Sequence, residues 1–240
     1  MGILDSLLKR PVNDRIHVTD PKILEHFLSN PDFPWLISFP RTGSHWLRML
    51  MELYFQKPSL RRIFFYPDAT DFTCYHWHDV DLTTHDVKSV IYLYRHPVDT
   101  VYSLLRYHKE NTTDAQRVRH WTDVYARHLA KWLWEESFTI RRTVIRYESL
   151  RTDLNREFAK VCEHLGVSMD TRRLQEAVAK VSKDRLKNLT QHDGQVVDLS
   201  PEYETRRTTF QAEFGTPIME QVAAADPRLQ GLWSGGDVSR

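Results

Sequence analysis

Short apolar runs alternate along this chain with longer stretches in which apolar residues recur at helical spacing. The run Trp35–Phe39 lies between prolines, as a buried strand does, and Val90–Tyr94 is a second run of the same kind. Helical spacing begins at Trp46 after the first run and covers Val98–Tyr107 after the second. The pattern therefore predicts two strand-to-helix units.

Four further elements follow the same alternation. Two are strands, Phe72–His78 and Thr143–Tyr147, and two are helices, Trp121–Phe138 and Leu154–Leu165, the second with Gly166 at its C-cap. Strands that alternate with helices predict an α/β fold, a parallel sheet with helices on both faces. In such sheets the ligand site lies at the carboxyl ends of the strands.

Composition places the chain among ordinary globular proteins. It has 240 residues, of which 41% are hydrophobic, and a formal net charge of +1. Without repeats or a Gly/Ser-rich linker, we expect a single domain over residues 1–240, with a core over 35–166. The remainder, 167–240, is expected to form a lid over the bound ligands. The balanced charge gives no general attraction to nucleic acid, so no nucleic-acid partner is expected.

Cysteine content and hydropathy bear on location. The two cysteines, Cys74 and Cys162, are far apart and suggest neither a disulfide framework nor a zinc site. The sequence also lacks an apolar run of the roughly 18 residues that a membrane span requires, and it lacks a cleavable leader. We therefore expect a cytoplasmic protein without a transmembrane segment.

The first candidate site is the segment Pro40–Trp46, which joins the first strand to its helix. Backbone N–H groups and the helix dipole can converge there on an anion. Gly43 lets the backbone approach a ligand, Thr42 and Ser44 add hydroxyl donors, and Arg41 adds a positive charge. A Walker A loop is excluded, because its second glycine and its lysine are missing. An ordinary strand-to-helix turn stays open as an alternative.

A second anion site is predicted beside the first. Arg95 stands at the carboxyl end of the second strand, and Ser103 lies eight residues later in the next helix. Both can reach one anion at the same edge of the sheet. Two anion sites on adjacent strand ends suggest a nucleotide with two separated anionic groups.

These segments resemble those of the sulfotransferases. Residues 40–46 look like the family's 5′-phosphosulfate loop, and 90–103 look like its 3′-phosphate motif. Arg146–Leu150 resembles the family's Tyr-Glu segment, and His128 with Trp132 resembles a recurrent pair four residues apart. The resemblance covers roughly 35–166. In the weaker C-terminal third, Arg206 and Arg207 stand for a late basic loop whose glycine signature is missing.

The resemblance implies a P-loop-like fold that uses 3′-phosphoadenosine 5′-phosphosulfate (PAPS) as sulfuryl donor, without a metal. The acceptor would be a hydroxyl of a small molecule, lipid or glycan. The implied nucleotide-binding residues are Arg41, Thr42, Gly43, Ser44, His45, Trp46, Arg95, Ser103, Tyr147, Arg206 and Arg207. Arg41 stands where the family usually has a lysine against the leaving group, so the planar guanidinium changes that contact.

Sulfuryl transfer to a hydroxyl requires a base, and two histidines are candidates. His76 and His78 are two residues apart on the predicted strand, so their side chains lie on the same face. The resemblance matches His78 to the catalytic base and places His76 where a positive group contacts the sulfate. His78 is favoured, His76 stays open as the base, and packing histidines are the alternative to both.

Two rival functions stay open at this stage. One is an ATP-dependent small-molecule phosphotransferase, against which the missing Walker lysine counts. The other is a nucleotide-binding protein on the same fold without catalysis. Loops around 60–70, 109–119 and 186–205 are expected to set acceptor specificity, and oligomeric state is not predicted.

Overall fold

The computed structural model describes residues 20–136, 139–181 and 202–233. The order of elements is α1 (Pro21–Leu28), β1 (Trp35–Ser38), α2 (Ser44–Phe55), β2 (Tyr75–Trp77), β3 (Ser89–Tyr94), α3 (Pro97–His108), α4 (Ala115–Trp134), β4 (Arg141–Arg146), α5 (Tyr147–Thr152), α6 (Leu154–His164), α7 (Thr171–Lys180) and α8 (Tyr203–Ala225). A 3₁₀ helix, Pro227–Trp233, follows α8.

The four strands form one parallel sheet in the order β2-β1-β3-β4. All six side chains of β3 are buried, whereas β4 at the edge has only Ile145 fully buried. Because every strand runs the same way, the residues that follow β1, β2, β3 and β4 meet at one edge of the sheet. The predicted parallel α/β sheet is confirmed.

Helices cover both faces of the sheet. On one face α3, α4 and α8 bury alternate strand residues such as Ile37 and Tyr92. On the other face α2, α6 and α7 pack over Leu36, Ile91 and Leu93. Buried apolar side chains on both faces keep water from the strands and hold the loops at the sheet edge in place.

Several predicted boundaries were wrong for identifiable reasons. β2 has three residues rather than seven, and it ends before His78. Tyr147 begins helix α5 instead of ending β4. Helix α4 begins at Ala115, where the Asp114 side chain accepts from the N–H groups of the first turn, and it ends at Trp134. Gly166 adopts φ +71° after α6, as predicted for a C-cap.

Candidate active site at the carboxyl edge of the sheet

The loop between β1 and α2 has a fixed, left-handed geometry. Arg41 and Gly43 adopt φ +71° and +98°, which turns the chain sharply into the first turn of α2. Thr42 is fully buried, and its hydroxyl donates to the Phe39 carbonyl oxygen at 2.8 Å. In the free protein the loop itself uses the hydroxyl that is predicted to donate to a ligand. Ser44, at the start of α2, is also buried.

Tyr147 lies directly against this loop. A Cβ built on Gly43 would come within 2.4 Å of the Tyr147 ring, so only glycine leaves room for that ring. Trp46 meets the same ring edge-on at 6.2 Å. The end of β4 thus supports the loop that follows β1, as the predicted grouping of these residues requires.

Arginines gather beside the loop. The Arg41 Nε donates to the Ser103 hydroxyl at 3.1 Å, and its guanidinium lies 5.1 Å from the centre of the exposed Tyr107 ring. The Arg95 guanidinium lies 4.8 Å from the Tyr147 ring centre and donates to the Arg41 carbonyl oxygen at 3.3 Å. Two cations and a buried hydroxyl from three segments therefore meet, as expected for an anion site.

Hydrogen bonds to Tyr125 hold the backbone of Arg95 in place. Its N–H donates to the Tyr125 hydroxyl at 3.0 Å, and that hydroxyl donates to the Arg95 carbonyl oxygen at 2.7 Å. Glu148 accepts from the next N–H, that of His96, at 2.9 Å. The Arg95 Nε is buried and has no hydrogen-bond partner in the described ranges 20–136, 139–181 and 202–233. The strand end thus holds a donor in place for a ligand.

His78 lies just beyond β2, beside the end of β1. Its Nδ1 is 2.7 Å from the Ser38 carbonyl oxygen, so Nδ1 carries the proton and donates it. This bond assigns the lone pair of the ring to Nε2. Burial, together with the charges of Arg48 and Arg61 and against the hydrogen bond to Ser38, lowers the pKa of His78 to about 4, so the ring is neutral near pH 7.

His76 has a different environment. It is buried between Ser38, whose hydroxyl is 3.2 Å from Nε2, and Arg48, whose Nη1 is 3.3 Å from Nδ1. Burial, with the charge of Arg48 next, lowers the pKa of His76 well below its ordinary value. This shift favours the neutral ring over the positive group expected at His76, and the adjacent Arg48 carries a positive charge.

Comparison with known proteins gives the family. The sulfotransferase domain model matches residues 72–195, which is half of the chain. This chain belongs to the sulfotransferase family. No curated protein matches the sequence. The mouse sulfotransferase SULT7A1, in a crystal structure complexed with PAP, shares the fold with a TM-score of 0.56 and 14% identity, over 88% of this chain and 92% of the mouse chain.

In this sulfotransferase, a buried network fixes the turn that carries His78. The His128 Nε2 donates to the His78 carbonyl oxygen at 2.8 Å, and the Tyr92 hydroxyl donates to the His128 Nδ1 at 2.9 Å. The Asp79 carboxylate accepts from Lys131 at 2.9 Å and from Trp132 at 3.0 Å. His128 and Trp132 therefore act as packing and hydrogen-bonding groups behind the sulfotransferase site.

Three other residues that are predicted to bind the nucleotide contact side chains of the protein. His45 is hydrogen-bonded to the Arg62 guanidinium and meets Phe64 edge-on at 5.8 Å. Arg206 is exposed and paired with Glu202. Arg207 instead reaches back to Asp99 on α3, with 2.7 Å between Nε and Oδ1.

Sequence analysis missed three residues of this site, namely Ser38, Arg48 and Asp99. Each carries a weak signal: a hydroxyl inside an apolar strand, a cation among the apolar residues of α2, and an acid four residues after Arg95. All three are buried or partly buried polar groups whose partners come from distant segments, so their pairing cannot be seen in one sequence window.

Other features of the sulfotransferase lie outside this site. A cavity of about 600 Å³ lies at the opposite edge of the sheet, lined by Phe33, Tyr54, Arg141 and His164 among others. Among the residues that the structure describes, no group of His, Cys, Asp and Glu is arranged to hold a metal ion. None of the described helices is long and apolar enough to span a bilayer. The predicted acceptor loop 186–205 lies mostly outside the described residues.

Proposed function

We propose that this sulfotransferase transfers the sulfuryl group of PAPS in line to a hydroxyl of a small molecule, lipid or glycan. One observation carries the proposal. A neutral histidine whose Nδ1 proton is donated to Ser38, and whose Nε2 lone pair accepts a proton, shares the carboxyl edge of the sheet with the arginine cluster. A base and an anion site side by side are what sulfuryl transfer to a hydroxyl needs.

The residues at this edge fit a nucleotide with two anionic ends. The buried Nε of Arg95 is a donor without a partner among the described residues; Arg95 Nη1 donates to the carbonyl oxygen of Arg41, whose Nε in turn donates to Ser103. We propose that Arg95 and Ser103 bind the 3′-phosphate and that the N–H groups of 42–46 bind the 5′ end. Tyr147, under the loop, supports both parts.

In the proposed step, His78 Nε2 takes the proton of the acceptor hydroxyl. The acceptor oxygen forms a bond to sulfur while the bond from sulfur to the bridging oxygen breaks, and that oxygen leaves on the 5′-phosphate of PAP. Arg41 donates to Ser103 in the free protein, and we propose that its guanidinium turns to the leaving phosphate when PAPS binds and stabilises the negative charge that develops there. The low pKa of His78 in the free protein rises when the anionic donor binds nearby, which strengthens the base.

The acceptor is proposed to approach His78 over Trp77. The exposed Arg61 guanidinium lies 4.4 Å from the Trp77 ring centre and lowers the pKa of His78. Arg61 belongs to the predicted acceptor loop 60–70, so this loop borders the base. The wider assignment of residues 1–240 to a single domain, the nucleotide contact of Arg206 and a cytoplasmic location stay predictions.

Calorimetry and a transfer assay test the function. The protein should bind PAP more tightly than adenosine 5′-monophosphate (AMP), which lacks the 3′-phosphate. With sulfur-labelled PAPS, it should release PAP in equal amount to a sulfated product formed from a phenol, a sterol or a glycan. Absence of heat with PAP would contradict the proposal, and Mg²⁺-dependent turnover of ATP would favour phosphoryl transfer instead.

A further inference from the structure

Asp99 lies between two arginines that come from different parts of the chain. It stands in the first turn of α3, four residues after Arg95, and the Arg95 Nη2 is 3.7 Å from its Oδ2. From α8, Arg207 donates to both carboxylate oxygens, Nε to Oδ1 at 2.7 Å and Nη2 to Oδ2 at 3.1 Å. This two-bond pairing is the strong geometry for a carboxylate and a guanidinium.

All three guanidinium nitrogens of Arg207 donate to carboxylates of the protein. Two of its three nitrogens hold Asp99, and the third, Nη1, donates to Glu204 at 3.1 Å. Gln211, one turn further along α8, also donates to Asp99 Oδ1 at 3.1 Å. Arg207 is therefore placed to act on Asp99, and through Asp99 on Arg95.

Helix α8 is anchored firmly enough to carry out this role. Phe210, on the turn after Arg207, is buried against the Tyr102 ring at 5.2 Å. Tyr203 at the start of α8 packs on the same ring at 5.4 Å. Since Tyr102 precedes Ser103 on α3, these contacts fix α8 against the helix that bears the anion site.

We propose that Arg207 is a positioning residue for the nucleotide 3′-phosphate: by neutralising Asp99, it keeps the charge of Arg95 available to the phosphate. This inference rests on the proposed PAPS-binding function. Without Arg207, the Asp99 carboxylate is left with Arg95 as its only cation among the described residues, so the pair closes from 3.7 Å, draws the Arg95 side chain aside and cancels more of its charge. The C-terminal helix then sets nucleotide affinity from outside the phosphate contact itself.

A charge-balanced pair of variants separates this role from direct contact. Arg207→Gln removes the cation and leaves Asp99 to Arg95, so PAP affinity should fall about tenfold, whereas affinity for AMP should stay within about twofold. Adding Asp99→Asn removes the competing charge, so the double variant should regain PAP affinity to within about threefold of the parent. Calorimetry on the full chain measures all three proteins.

Arg172→Gln is the matched control, since Arg172 is an exposed arginine paired with Glu176 on α7. It should leave the affinity for both nucleotides unchanged. Thermal unfolding of each variant shows whether it is folded, and Asp99→Asn alone should bind PAP at least as tightly as the parent. That single variant keeps the test valid if Arg207→Gln does not fold.

Two results would overturn the inference. A double variant as weak as Arg207→Gln would show that Arg207 touches the phosphate or only stabilises α8. An equal loss of affinity for PAP and AMP would show that the effect does not pass through the 3′-phosphate. If the parent protein itself binds neither nucleotide, the proposed function fails, which is a different outcome from either of these.

Discussion

At the scale of single residues, two histidines separated by one residue differ in their surroundings. His76 is enclosed by Ser38 and Arg48, so both ring nitrogens have partners. In the part of the chain that the structure describes, the hydrogen bonds of His78 are made by Nδ1, to the Ser38 carbonyl oxygen and more distantly to the Ser38 hydroxyl. The contrast explains why the second histidine is suited to proton transfer and the first to packing.

His78→Ala should lower the turnover number at least about a hundredfold, because the acceptor proton then lacks a base. The dissociation constant for PAP should stay within about threefold, since the phosphate contacts come from other segments. Steady-state kinetics and calorimetry with PAP measure the two effects. His120→Ala, at an exposed histidine of α4, is the control. Undiminished turnover in His78→Ala would remove His78 from the mechanism.

Residue types and spacing were enough to locate the histidine pair and the arginines at one edge of the sheet. They could not show that the Thr42 hydroxyl donates to the Phe39 carbonyl oxygen, or that burial lowers the pKa of His76. Both depend on what surrounds a side chain in three dimensions. The local sequence shows which chemical group is present, but it does not show how far that group is buried from water.

At the scale of elements, the loop between β1 and α2 depends on helix α5, far along the chain. The Tyr147 ring occupies the space that any side chain at residue 43 would need. The left-handed φ of +98° at Gly43 adds a second requirement for glycine. The loop can pack against α5 in this way only with glycine at position 43, beside the Tyr147 ring.

Gly43→Ala should destabilise the protein by about 1–3 kcal/mol and weaken PAP binding more than tenfold, because the new methyl group displaces Tyr147 or the loop. Urea unfolding and calorimetry provide the measurements. In Gly215→Ala, within α8, the Cβ meets nothing within 4 Å, so stability should stay equal or rise. Similar results for the two variants would contradict the close packing at Gly43.

The elements themselves were largely predictable, and their ends less so. Proline boundaries set β1 to within a residue, and the apolar run set β3. The shortness of β2 was missed, because Phe72 and Cys74 are buried without pairing in the sheet. Burial and strand pairing leave the same apolar signal in a sequence.

At the scale of the whole molecule, four buried histidines are kept neutral by the fold. Burial lowers the pKa of His78 and His164 to about 4 and of His128 to about 3, and that of His76 well below its usual value. In the unfolded chain each titrates near 6.5. Between about pH 6.5 and 4, the unfolded state therefore binds more protons than the folded state.

The free energy of unfolding should consequently fall as the pH drops from 7 to 5, by about 2 kcal/mol for each buried imidazole. Urea titrations across this range measure the slope. His164→Gln, which removes a ring held between Ser89 and Thr143, should reduce the slope by about one proton. The exposed-site variant His120→Gln should not change it. Stability that is constant from pH 7 to 5 would refute this account.

Fold class followed from the alternation of strands and helices, but the strand order did not. Nothing in the local pattern states that β1 lies between β2 and β3, or that β4 is an edge strand. That arrangement follows from which faces the helices must cover, a property of the assembled chain. It also decides which site residues become neighbours.

The position of β1 inside the sheet also determines when this protein acquires its nucleotide site. Gly43 leaves the ribosome roughly a hundred residues before the Tyr147 that completes its surroundings. Because these two residues are far apart in the sequence, their contact carries a high entropic cost of loop closure. A nascent or truncated chain that stops short of β4 carries the whole loop sequence and still lacks a formed pocket.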